Sequence, residues 1–105
     1  MTPIEQALFR DGSIHCISSF ELSSDALVLT LHPWERADFP TQARFERPRI
    51  VSVDNSYADE DLALPWDIFG FDSDQLPDGG WRFGLHTDCI EYVFDSPWPQ
   101  ITKTA

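Results

Sequence analysis

Residues 81–95 switch between apolar and polar side chains at nearly every step, and a repeat of two residues fits an extended strand and no helix. Trp81, Phe83, Leu85 and Thr87 fall on one side of such a strand, with Arg82, Gly84 and His86 on the other. A second arm follows, in which Ile90, Tyr92 and Phe94 alternate with Cys89, Glu91, Val93 and Asp95. The short polar step Thr87-Asp88 predicts a tight turn, so the two arms should pair antiparallel. Pro97 and Pro99 have no backbone donor and are expected to stop the ladder.

The same pattern recurs upstream. Ile14, Cys16, Phe20 and Leu22 alternate with polar positions, Ser23-Ser24-Asp25 interrupts them, and Leu27, Leu29 and Leu31 alternate again, which predicts a further hairpin. Residues 35–42, with Pro40 and mixed charges, read as a loop. The run 44–54 alternates in its second half, and Pro48 inside it predicts an edge strand, or one beginning at Arg49. Ile68, Phe69 and Phe71 suggest a short buried strand, joined to Trp81 through the turn cluster Pro77-Asp78-Gly79-Gly80.

Helix is scarce. Thr2-Pro3-Ile4-Glu5 has a cap, a proline at the first helical position and a glutamate three residues after the cap. Ile4 and Leu8 would share a face, with Gly12 closing the end; the rival reading makes Asp11-Gly12 a hairpin turn. Residues 56–62 suggest a helical turn that Leu64-Pro65-Trp66 breaks. The expected fold is therefore mainly β: a single-domain antiparallel sandwich or roll over residues 1–105, with about six strands and a short N-terminal helix.

Composition narrows the function classes. A chain of 105 residues can bury one core without metals or disulfides. It has neither a membrane-length apolar run nor a basic, apolar leader, so a cytoplasmic address is expected, with no membrane partner. Cys16 and Cys89 then read as free thiols, outside any Cys-x-x-Cys motif. A formal net charge of −11 repels a phosphate backbone, which argues against nucleic acid and would attract a basic protein. Residues 54–78 hold eight acidic residues and no Lys or Arg.

Candidate chemistry is sparse, and no catalytic, cofactor or metal residue is assigned. His15, His32 and His86 form no spaced ligand pair. His86 stands out because it lies beside the Thr87-Asp88 turn, where Asp88 could orient its ring. Asp72, Asp74 and Asp78 invite a calcium reading, but their spacing departs from the EF-hand loop, and solvated turn carboxylates are the simpler expectation. Neither a Gly-x-Ser-x-Gly elbow nor a phosphate-binding glycine loop is present. Trp34, Trp66 and Trp98 each follow a proline, as lids of the core or as anchors of an interface.

The expected function is a non-catalytic module that meets a basic protein through Asp59, Glu60, Asp61, Asp72, Asp74 and Trp66. Two alternatives stand beside it. One is a small hydrolase or metal-dependent enzyme centred on His86 with Asp88, Cys89 or another carboxylate, and the other is a structural subunit or homodimer joined through a sheet edge.

The stretches Leu-Pro-Trp-Asp-Ile-Phe-Gly-Phe-Asp-Ser (64–73), Trp-Arg-Phe (81–83) and Ile-Glu-Tyr-Val-Phe-Asp-Ser-Pro-Trp-Pro (90–99) resemble the C-terminal half of a group of small bacterial β-rich proteins without an assigned activity. In size and charge the chain is similar to immunity proteins of bacterial toxin systems. The first resemblance implies a β-rich fold and the second a toxin-masking role. Neither carries over a functional residue.

Overall fold

The computed structural model describes residues 1–10, 14–54 and 64–103. Chain order gives α1 (Pro3–Leu8), β1 (His15–Leu22), β2 (Ala26–Pro33), β3 (Thr41–Glu46), β4 (Arg49–Asp54), β5 (Trp66–Gln75), β6 (Trp81–Thr87), β7 (Glu91–Ser96) and β8 (Gln100–Lys103). The strands form one sheet in the order β4-β7-β6-β5-β1-β2-β3-β8, and every neighbouring pair is antiparallel.

Two short links roll this sheet up. Arg47 and Pro48 alone carry the chain from β3, near one end of the order, to β4 at the other, and residues 97–99 carry it from β7 back to β8. Links of that length span at most about 10–14 Å, so the two ends of the sheet must approach each other around one interior. Ser96 Oγ donates to the carbonyl of Glu46 across this closure at 3.3 Å. Arg47 turns the corner at a φ of 43°, a left-handed conformation that costs a side-chain-bearing residue energy, and its N–H is held by the Asp25 carbonyl at 2.7 Å.

The interior is aromatic on one side and aliphatic on the other. Phe45 of β3 reaches across the roll to Phe83 and Phe94, both with ring centroids at 5.0 Å, and to Phe71 at 6.2 Å. Leu27, Leu29 and Leu31 of β2 are fully buried in the same cluster. The alternation read in residues 81–95 holds: Phe83, Leu85, Tyr92 and Phe94 are buried, whereas Arg82 and Glu91 are exposed.

The capped N-terminal segment is a helix, and it does a strand's work. Thr2 and Glu5 form a reciprocal capping box, and Ile4 and Leu8 are buried. β1 pairs with β5 only at Cys16–Asp67 and Ile17–Trp66. Farther along β5, the N–H of Phe71 donates to Glu5 Oε2 at 3.1 Å, its carbonyl accepts from Thr2 Oγ1, and Ser73 Oγ accepts from the N–H of Ile4 at 3.1 Å. α1 therefore covers an edge of β5 that β1 leaves open.

The mainly β, antiparallel expectation holds, with eight strands where about six were expected, and three local expectations need correction. β4 begins at Arg49 and lies at an end of the strand order, as Pro48 predicts, but residues 41–46 form a strand of their own that begins inside the expected loop. Pro97 and Pro99 end β7, but the chain resumes pairing at Gln100 as β8, because the missing donors fall in the link and not in a ladder. The strand expected near Ile68 runs on to Gln75, which places Asp72 and Asp74 on a strand and not in a turn. The Asp11-Gly12 turn, the helical turn at 56–62 and the acidic residues Asp59, Glu60 and Asp61 lie outside the described residues. Among the described residues no helix is long and apolar enough to cross a membrane.

Candidate functional site

With one face of β5, β6 and β7 committed to the core, every second residue of these strands forms an outer face, and the ladder register sorts it into rows. Asp74, Arg82, Asp95 and Arg49 make one row; Asp72, Gly84 and Val93 the next; Gly70, His86, Glu91 and Asp54 a third. Carboxylates predominate, and each cation is set among them.

In the first row Arg82 grips Asp95 with two bonds, Nε to Oδ1 at 2.8 Å and the terminal nitrogen to Oδ2 at 3.0 Å. The hydrogen bond from Arg82 holds the Asp95 carboxyl below its usual range, against partial burial and with help from the charges of Arg82 and Arg49. The same bond pushes the guanidinium still higher.

His86 is the centre of the other two rows. Its Nε2 lies 2.8 Å from Asp72 Oδ2, on the diagonal across β5, and its Nδ1 lies 3.4 Å from Glu91 Oε1, directly across β7. Gly84, opposite Asp72, leaves the gap that the two side chains bridge: a Cβ there would sit 3.4 Å from Nε2 and 3.6 Å from Asp72 Oδ2. Burial of the ring pulls its pKa down, but the hydrogen bonds and charges of Asp72 and Glu91 together outweigh that and raise it. Carboxylate oxygens only accept, so the doubly protonated imidazolium alone satisfies both contacts. A ring held at both nitrogens has no free lone pair with which to take a proton from water or substrate.

Of the residues singled out from the sequence, the structure brings Asp72 and His86 together, with Asp74 on the same face. Asp88, expected to orient His86, does not contact it; its Oδ1 accepts from the N–H of Asp67 at 3.1 Å, and its own N–H donates to the Asp67 carbonyl at 3.2 Å. A turn residue points along the hairpin end, whereas the partners of a strand side chain lie across the ladder. Trp66 is in the core, 7% exposed, with its ring 5.4 Å from that of Phe20, so it is a lid and not a surface anchor. Among the described residues no group of three His, Cys, Asp or Glu side chains is placed to hold a metal ion.

Sequence reasoning missed Glu91, whose period-two position on the His86 face was the available signal. It also missed a second histidine contact. Cys16 and His32 are cross-strand partners, with Sγ 3.5 Å from Nε2. His32 Nδ1 lies 2.7 Å from the Pro33 carbonyl, which fixes its proton there and leaves Nε2 to accept from the thiol. That thiol is fully buried, and burial together with the charge of Asp67 pushes its pKa up, the opposite of what a thiolate nucleophile requires. Neither Cys16 nor Cys89 forms a disulfide. A groove of about 300 Å³ opens near the Arg82–Asp95 end of the sheet, lined by Arg47, Arg49, Trp81 and Asp95 among others, and His86 is not part of its wall.

Comparison with known proteins yields no relative: no protein-family model, no curated protein and no solved structure matches this chain.

Proposed function

We propose that the protein is a non-catalytic recognition module whose outer β5–β6–β7 face meets the basic surface of a partner protein. The observation that carries this reading is the double clamp on His86: the residue best suited to acid–base chemistry is spent as an internal cation between Asp72 and Glu91. Around it Asp72 and Glu91 keep more than half of their side-chain surface in water, at 59% and 53%, and present their remaining lone pairs to an approaching cation. The net charge of −11 extends the same preference over longer range and steers a basic partner in. A protein that masks a toxin, as immunity proteins do, is the most specific form of this reading.

Affinity capture from the native cell extract identifies the partner, and stopped-flow association at increasing salt tests the mechanism. The captured protein should be basic, and its association rate should fall by roughly tenfold or more between low and high ionic strength. Asp72→Asn combined with Glu91→Gln should slow association further at low salt. An acidic partner, or an association rate indifferent to salt, overturns the reading.

A further inference from the structure

We propose that β4 is a self-association edge, at which two copies of the chain pair their β4 strands antiparallel about a two-fold axis with Arg49 of each opposite Asp54 of the other. Among the described residues, stretches of edge on β5, β8, β4 and the second half of β1 lack a strand neighbour, and the first three are treated differently. That of β5 is covered by α1. That of β8 is four residues long and ends in Lys103, and a short edge with a lysine resists pairing. β4 has neither protection: all six of its residues are exposed, including Ile50, Val51 and Val53 at 49%, 43% and 47%.

The sequence of β4, Arg-Ile-Val-Ser-Val-Asp, is complementary to its own reversal. Antiparallel self-pairing sets Arg49 opposite Asp54, Ile50 opposite Val53 and Val51 opposite Ser52. In a regular six-residue strand this would fail, since the two ends point to opposite faces. β4 is not regular. The ladder to β7 skips a residue between Ile50 and Ser52, so Arg49 aligns with Asp95 and Asp54 with Glu91, both on the outer face, while Ile50 and Val53 align with Phe94 and Tyr92 on the inner one. Like faces therefore meet throughout. The irregularity falls at the two-fold axis in both copies, so neither is displaced against the other.

Electrostatics favours the same register. Asp54 faces Glu91 across the ladder, and a second copy's Arg49 would add an opposite charge to the contacts these two carboxylates already make. The net charge of −11 on each chain opposes association, but physiological salt screens it beyond about 8 Å, and the contacts at the strand decide the outcome. The paired β4 strands would join two outer faces into one continuous charged surface.

Sedimentation equilibrium of the full chain in physiological salt tests this, with dimer expected by ~100 µM. Arg49→Asp and Asp54→Arg, each alone, should weaken self-association by about tenfold or more, because both cross-strand charge pairs become repulsive. An equimolar mixture of the two variants should recover the dimer, since every pair in the mixed species is of opposite sign, and the chain carrying both changes should dimerise like the parent. A parent that stays monomeric to ~100 µM overturns the proposal. So does a dimerisation constant unmoved by Arg49→Asp, or a mixture that stays monomeric while the parent dimerises.

Discussion

Strands β5, β6 and β7 present two surfaces that alternate residue by residue and obey different rules. On the inner side Phe71, Phe83, Leu85 and Phe94 are fixed by volume, each touching neighbours from several strands. On the outer side Asp72, Arg82, His86, Glu91 and Asp95 are fixed by reach, each bound to one or two partners across the ladder. Inner positions decide whether the chain folds, because a lost ring leaves a cavity in a packed interior. Outer positions decide what the folded chain can meet, because their groups stay in contact with water and exchange one partner for another at little cost.

The sharpest way to break this contrast is at its inner centre. Phe45→Ala should cost about 3–5 kcal/mol in urea unfolding, a large share of the roughly 5–15 kcal/mol available to a domain of this size. A loss under about 1 kcal/mol would mean that the aromatic cluster collapses around the gap and does not define the roll. The next test is a polar atom that violates the inner rule. Tyr92 Oη is buried without a hydrogen-bond partner among the described residues, and burial raises its pKa. Tyr92→Phe should therefore stabilise the fold by about 1 kcal/mol, because an orphaned buried hydroxyl carries a desolvation cost with no bond to offset it. Destabilisation would show that the hydroxyl is in fact bonded.

A third substitution separates the surfaces outright. Gly84→Val adds branches beyond the Cβ position, into the gap where His86 meets Asp72. Valine suits a strand, so stability should change by less than about 0.5 kcal/mol. The imidazole, pushed off its carboxylate, should fall back toward its ordinary pKa in an NMR titration. A pKa that stays raised would mean that Glu91 alone holds the ring.

The inner surface was far more legible than the outer one. A two-residue repeat names its own face, which is why the split between Phe83 or Phe94 and Arg82 or Glu91 could be read without knowing any neighbour. The outer contacts are set by register, and register depends on where turns and bulges fall. Asp72 meets His86 because β5 continues to Gln75, past the point where its apolar residues stop signalling a strand. Cys16 meets His32 through the pairing of β1 with β2, across a span that holds its own irregularity between Ile17 and Ser19. The roll itself was hidden in the Arg47-Pro48 link, since a proline in an apparent strand says that pairing stops but not which strand the chain joins next.

The smallest effect discriminates most finely, because two groups on the outer face respond to pH with opposite sign. The folded pKa of His86 is raised, so its clamp contributes fully below the unfolded value of about 6.5 and is lost as pH rises through the higher folded value. The folded pKa of Asp95 is lowered, so its pair with Arg82 contributes fully above about 3.9 and is lost as pH falls through the lower folded value. Both are intact between roughly pH 4 and 6.5, where stability should be highest. His86 keeps 35% of its side-chain surface in water, and screening limits its share to less than about 1 kcal/mol. Asp72→Asn should flatten the alkaline side of the profile and leave the acid side alone, since Asp72 touches His86 and not Arg82. A variant that moved both sides together would mean that the charged rows act as one network, and the outer face would then share the cooperativity of the core beneath it.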